Sequence, residues 1–189
     1  MTPPATEVER WSALKVWLFS LFNRNPESNS AAVDRMELGS EDRFLDLGCG
    51  LGAALEHAAV SGATTAGIDP SPSMVERASE RVPKADVRLG SAESIPFDDD
   101  SFTTALSVST YHHWADADTG LKEVRRVLAN GGRLLIVERK LKRSAGHGLD
   151  LAGAGRLGEL LETHGYTTVE VDTMRAGRAE YLAVSAVSP

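Results

Sequence analysis

The chain has 189 residues, of which 42% are hydrophobic and 25% charged, and a formal net charge of −7. That length suits a single domain with a full core, and the acidic balance argues against a nucleic-acid partner held by a broad basic surface. Cys49 is the only cysteine, which excludes an internal disulfide and a cysteine-based zinc site. Met1 to Glu7 lack a basic, apolar leader, and no apolar run reaches membrane-spanning length, so the sequence predicts a cytoplasmic protein with no stable membrane insertion.

In chain order, the first predicted element is a helix from about Val8 to Phe22, with Trp11, Leu14, Trp17, Leu18, Leu21 and Phe22 at helical spacing. Together with Val8 and Phe19, these positions cover more than half the helix circumference, wider than one core contact requires. Such a helix either wedges against the domain or a second subunit, which allows for a homodimer, or closes over a ligand as a lid. Asn23 to Ser30 reads as a polar connector, so residues 1–30 form an N-terminal helix and connector ahead of a domain at 31–189.

A short helix to Met36 follows, and from Arg43 strands and helices alternate. Strands are predicted at Arg43–Leu47, Thr64–Ile68, Asp86–Leu89, Phe102–Ser107 and Arg133–Glu138, with helices at Ala53–Ser61, Pro72–Val82 and Asp116–Leu128. Ser71 before Pro72 is an N-cap with proline at N1. The alternation implies an α/β fold, a doubly wound parallel sheet with helices on both faces. After Glu138 comes a basic stretch with Arg139, Lys140, Lys142 and Arg143, then a glycine-interrupted helix ending near His164. Strands at Thr167–Asp172 and Tyr181–Ala186, with no helix between them, predict an antiparallel hairpin.

Phe44 to Gly52, Phe-Leu-Asp-Leu-Gly-Cys-Gly-Leu-Gly, is the most informative segment. An apolar strand runs into glycines at every second position and then a helix, a cradle in which backbone approaches a ligand closely. The glycines alone also satisfy the degenerate dinucleotide fingerprint. Asp46 discriminates, because a carboxylate there opposes a pyrophosphate and suits the ammonium of an amino-acid moiety.

Asp46-x-Gly-x-Gly-x-Gly52, Gly67-Ile-Asp69 and Gly90-Ser-Ala-Glu93 with Pro96-Phe97 together resemble the class I S-adenosylmethionine-dependent methyltransferases, in particular the broad small-molecule group, methyltransferase domain type 11. The resemblance runs from about Ala31 to the C-terminus. It implies a Rossmann-like, mostly parallel seven-stranded sheet with an antiparallel last strand, and S-adenosyl-L-methionine as cofactor with S-adenosyl-L-homocysteine as product. Gly48, Cys49, Gly50 and Gly52 would pass under the methionine half, with Asp46 near its ammonium. Asp69, about twenty residues beyond the glycine turn at the end of the second strand, would accept the ribose hydroxyls. Pro70, Ser71 and Met74 would border adenine and ribose. Ser91 stands where the family usually has an acid facing the adenine amino group; by the resemblance its hydroxyl and the Ala92 backbone would take that role, and Glu93 reads as a solvated acid or one acting from behind. Thr103 replaces a common aspartate and is expected to alter local hydrogen bonding only.

Ser107-Val-Ser-Thr-Tyr-His-His-Trp114 follows the fourth strand, at the ligand edge. Ser107 and Ser109 fall near the methionine end. Tyr111, His112 and His113 face the incoming acceptor and are the candidate catalytic residues, although either histidine could be structural. Trp114 is an aromatic wall or core residue, and Asp116 and Asp118 read as a helix cap and first turn rather than metal ligands; no metal is expected. Trp11, Trp17, Leu18, Phe22 and the basic stretch would line the acceptor side. The sequence carries no Asn-Pro-Pro-Tyr grip on an adenine amino group and too few cysteines for arsenite methylation by thiols. The expected acceptor is a small organic molecule. The alternatives are a non-catalytic S-adenosylmethionine-binding or regulatory protein and a nicotinamide-dependent oxidoreductase, the latter opposed by Asp46.

Overall fold

Apolar side chains alternate along the central strands and divide between two clusters. In β1 (Arg43–Leu47), Leu45 and Leu47 belong to one cluster and Phe44 to the other; in β5 (Leu128–Arg139), Leu134 and Ile136 part from Leu135 and Val137 in the same way. Period-two alternation with both faces apolar requires cover on both sides. The computed structural model describes residues 26–142 and 147–189. On the Phe44 face lie α1 (Pro26–Arg35), α2 (Ala53–Ala59) and α3 (Pro72–Arg81), contributing Ala32, Val33, Ala54, Leu55 and Ala78. On the Leu45 face lie α4 (Ala117–Val127) and α5 (Leu151–Thr163), contributing Leu121, Val124, Leu157 and Leu161.

The remaining strands are β2 (Thr64–Asp69), β3 (Asp86–Leu89), β4 (Phe102–Val108), β6 (Thr167–Ala176) and β7 (Ala179–Val187), and the described strands form one sheet in the order β3-β2-β1-β4-β5-β7-β6. The pairs from β3 to β5 are parallel, whereas β7 runs antiparallel to both β5 and β6. This is the predicted fold class, a doubly wound sheet with an antiparallel last strand. The hairpin slots its second strand inside the first, so β6 forms the edge.

Several boundaries differ from the sequence reading. Residues 26–30 belong to α1 rather than to a connector: Pro26 opens the helix and Glu27 sits in its first turn, a pairing that complements the free amides and dipole of a helix start. The β6–β7 hairpin is longer than predicted, because Thr173–Ala176 pair with Ala179–Leu182 around a tight turn at Gly177, whose φ is 56°. β5 begins at Leu128, which pairs with Phe102 before the ladder shifts and resumes at Thr104 and Arg133. Thr103 bridges neighbours, its hydroxyl donating to Asp42 at 2.8 Å and accepting from the Arg43 amide at 3.0 Å. The predicted helix from Val8 to Phe22, with Trp11, Trp17, Leu18 and Phe22, lies outside the described residues, as does Arg143. No described helix is long and apolar enough to cross a membrane.

Candidate functional site

β1 sits between β2 and β4, and the connections leaving β1 and β4 diverge to opposite sides. The carboxyl edge at such a switch point opens the crevice where α/β sheets bind ligands. The chain turns there at Gly48, with φ of 75°, and the Gly48 and Cys49 amides both donate to the Ile68 carbonyl at 2.9 Å, pinning the turn to β2. A Cβ on Gly48 would stand 2.6 Å from the Thr110 methyl carbon, so only glycine fits. Gly50 is different: among the described residues, its chain neighbours aside, no atom lies within 4 Å of where its Cβ would be, so that side of the turn is open. Cys49 is buried, and burial with the Asp46 and Asp69 charges pushes its thiol far up, leaving a small apolar side chain rather than a nucleophile.

Asp46 is 3% exposed, and no described residue gives its carboxylate a hydrogen bond or an ion pair. Burial, reinforced by the charge of Asp69, pushes its pKa up to about 7. A buried carboxylate without a partner is costly, and a cationic ligand group removes that cost. Asp69 is also buried, which raises its pKa, but each oxygen holds one backbone amide: Gly50 at 3.0 Å and Ser71 at 2.9 Å. A carboxylate has about four acceptor sites, so Asp69 ties the glycine turn to the start of α3 and keeps capacity for ligand hydroxyls. Beside it, Pro70 is exposed and Ser71 and Met74 are buried. Ser71 is the extended residue before Pro72, as the sequence indicates, but its hydroxyl lies 3.3 Å from Ser73 Oγ and makes no cap bond.

Ser91 is half-buried and bridges to Ser94, with Ala92 buried beside it. Glu93, half-exposed, is tied to the chain after the 3-10 turn: its Oε1 accepts the Ala115 amide at 2.7 Å and the Asp116 amide at 3.3 Å. Asp116 caps α4, accepting from the Asp118 and Thr119 amides, as its place in the sequence suggests. Ser107 is fully buried and its hydroxyl is 2.7 Å from Thr110 Oγ1, which in turn donates to the Leu47 carbonyl at 2.9 Å. Thr110, not singled out in the sequence, is therefore the side chain that flanks the glycine turn, with Ser107 beneath it. Ser109 is exposed, with φ of 55°, and its amide donates to the Val137 carbonyl at 2.8 Å.

Tyr111 to His113 form a 3-10 turn at the end of β4. Tyr111 packs edge-on against Trp114 at 5.2 Å, and burial with the nearby Glu138 charge raises its phenol. Trp114 rests on Gly120, where a Cβ would stand 2.6 Å from its ring. His112 Nδ1 is 2.8 Å from Oε2 of Glu138, a fully buried acid near the end of β5, whose Oε1 accepts the His112 amide at 3.4 Å. His113 is exposed, and its ring centroid lies 4.0 Å from that of His112 with the two rings tilted at 45°. His147, from the loop after β5, packs against both. Glu138 and His147 escaped the sequence reading. The signal for Glu138 was a lone acid closing the apolar run Leu134–Val137, whereas an isolated histidine in a basic loop carried none.

A family model described as a methyltransferase domain matches residues 45–136. An uncharacterized methyltransferase of Synechocystis is 31% identical over 144 residues, which cover 71% of this chain and 68% of that protein. The 27-O-demethylrifamycin SV methyltransferase of Amycolatopsis mediterranei is 34% identical over 58% of this chain and 44% of its own. The chain spans about half the length of the first curated relatives it matches, 46% in the mycobacterial proteins. A putative methyltransferase of Haloferax volcanii, solved with the Trm112 methyltransferase activator, superposes with a TM-score of 0.79 at 20% identity, over 94% of each chain. The chain belongs to the class I S-adenosylmethionine-dependent methyltransferases.

Proposed function

We propose that this chain transfers the methyl group of S-adenosylmethionine to a small organic acceptor. The observation that carries the reading is Asp46, a buried carboxylate with no cationic partner among the described residues, beside a glycine turn that is open on the Gly50 side. In this reading Asp46 meets the cofactor's ammonium, the backbone of Gly48 to Gly52 runs under its methionine half, Asp69 accepts the ribose hydroxyls, and Ser91 and Ala92 face adenine. Bound there, the cofactor supplies a methyl group already activated on a sulfonium.

The protein's own task is alignment, which can replace a large part of the barrier, with effective molarities of about 10⁵–10⁸ M for well-oriented pairs. Tyr111 and Trp114 wall the crevice after β4, and His113 is the exposed imidazole that stands toward an arriving acceptor. His112 lies beside it, with its Nδ1 held by Glu138. A small acceptor is supported by the absence of an adenine-gripping motif and by the rifamycin relative, whose name states such an acceptor.

The test is calorimetric titration with S-adenosylhomocysteine and NAD, followed by transfer of radiolabelled methyl groups into a metabolite extract. Binding of S-adenosylhomocysteine and a labelled small molecule are expected. NAD binding without any response to S-adenosylhomocysteine would overturn the cofactor reading. Cofactor binding with a persistently blank transfer assay would favour the non-catalytic alternative.

A further inference from the structure

We propose that His112, His113 and His147 form a binding site for a divalent transition-metal ion of the Zn²⁺ class at the acceptor side of the crevice. The three side chains each offer a ring nitrogen, and these nitrogens lie within 4.8 Å of one another. A tetrahedral ion with Zn–N bonds of about 2.0–2.1 Å needs its ligand nitrogens about 3.3 Å apart. Ligation draws the nitrogens from a spread of at most 4.8 Å to that spacing, and His147 sits on a loop.

Three features make this more than a crowding of imidazoles. First, His112 is oriented as metal-bound histidines are: its Nδ1 is taken by the buried Glu138 carboxylate, which leaves Nε2 as the nitrogen for an ion. Second, the segment carrying His147 is held against the turn, its ring packing on those of His112 and His113. The Leu149 amide donates to Arg139 O at 3.0 Å, and the Leu141 amide donates to Leu149 O at 2.7 Å, closing the loop at its stem. Gly148 has φ of 149°, and a Cβ there would stand 2.3 Å from Arg139 O, so glycine alone allows the bend that presents His147. Third, the ligands come from the ends of two adjacent parallel strands, β4 and β5, at the edge where ligands bind.

Three imidazoles with no thiolate or carboxylate among the ligands favour zinc-like ions over Mg²⁺ or Ca²⁺, which require oxygen ligands. Three protein ligands leave the fourth position of such an ion open. Its role there rests on the methyltransferase reading: a hydroxyl or thiol of the acceptor bound in that position loses its proton to solvent and is presented as an anion. Glu138 is the positioning residue, acting through His112.

The experiment uses the full chain stripped with a chelator and titrated with ZnCl₂, with the visible spectrum of the Co²⁺ form as a report on geometry and S-adenosylhomocysteine binding measured in parallel. Binding of one Zn²⁺ per chain and a four-coordinate Co²⁺ spectrum are expected. Glu138→Gln should weaken zinc about 10–100-fold, and His147→Ala, on an exposed loop, at least as much, with S-adenosylhomocysteine binding retained in the latter. Absence of stoichiometric zinc binding, or an affinity unchanged in His147→Ala, overturns the site. Zinc binding without S-adenosylhomocysteine binding keeps the metal site and removes the methyltransferase role given to it.

Discussion

Thr110 lies across Gly48: its hydroxyl donates to the Leu47 carbonyl at 2.9 Å, and its methyl carbon occupies the space a Cβ on Gly48 would need. The threonine thus clamps the end of β1 from the β4 side and sets the height of the glycine turn. Gly48→Ala must both accept a φ of 75° and displace this clamp. The expected loss is roughly 1–3 kcal/mol in urea unfolding, together with weaker cofactor binding. Adding Thr110→Ser removes the nearest carbon and should restore part of that loss. Simple additivity of the two substitutions would show that the clash is not the cause.

The raised pKa of Asp46 gives a pH dependence of definite sign. Between its ordinary value of 3.8 and about 7, the folded chain holds a proton that the unfolded chain has released. Raising the pH through that window therefore destabilises the ligand-free fold, by up to about 4 kcal/mol, and the effect is complete above about pH 7. A bound ammonium reverses the preference, so cofactor affinity should fall up to about tenfold per unit below pH 7, with proton uptake or release visible in buffers of different ionisation enthalpy. Asp46→Asn should bind weakly at every pH and be more stable than the parent above pH 7. An affinity that stays flat from about pH 5.5 to 8 in the parent chain would remove the ammonium role of Asp46.

Asp69 serves two loops at once, and its variants should separate that role from ligand binding. Asp69→Ala deprives the Gly50 and Ser71 amides of their acceptors, so it should lower stability by about 1–3 kcal/mol and weaken the cofactor by a similar amount. Asp69→Asn keeps one acceptor oxygen and should recover more stability than affinity. Full cofactor affinity in a folded Asp69→Ala protein would show that no ribose contact is made there.

What the sequence disclosed and what it withheld divide by range. The bounds of β1 and β3, the position of Asp46 before the glycines and that of Asp69 at the end of β2 all follow from local pattern: alternation, turn residues and spacing. The helix start at Pro26 was also locally encoded, but the polar composition of residues 23–30 masked a proline at the first helical position. By contrast, Thr110 meets Leu47 across 63 residues and His112 meets Glu138 across 26. Nothing in the spacing of either pair announces the contact; the sheet order creates it by setting β4 between β1 and β5. By the same sheet order Ser107, a candidate cofactor contact by its place in the sequence, is fully buried with its hydroxyl 2.7 Å from Thr110 Oγ1.

Glu93 joins the two banks of the crevice by a contact of this long-range kind. Its carboxylate accepts the Ala115 and Asp116 amides from the turn Ser91–Ser94, so the segment leading into α4 is held to the segment after β3. Glu93→Ala leaves both amides to water and should cost about 1–2 kcal/mol, as expected for hydrogen bonds to a charged acceptor that is only partly buried. Glu93→Gln retains an acceptor oxygen and should cost less. The sharper readout is amide hydrogen exchange: Ala115 and Asp116 should exchange faster in Glu93→Ala while the core of β4 and β5 keeps its protection. Faster exchange throughout the sheet would mean that Glu93 supports the global fold, and unchanged exchange at both amides would mean that the tie contributes nothing in solution.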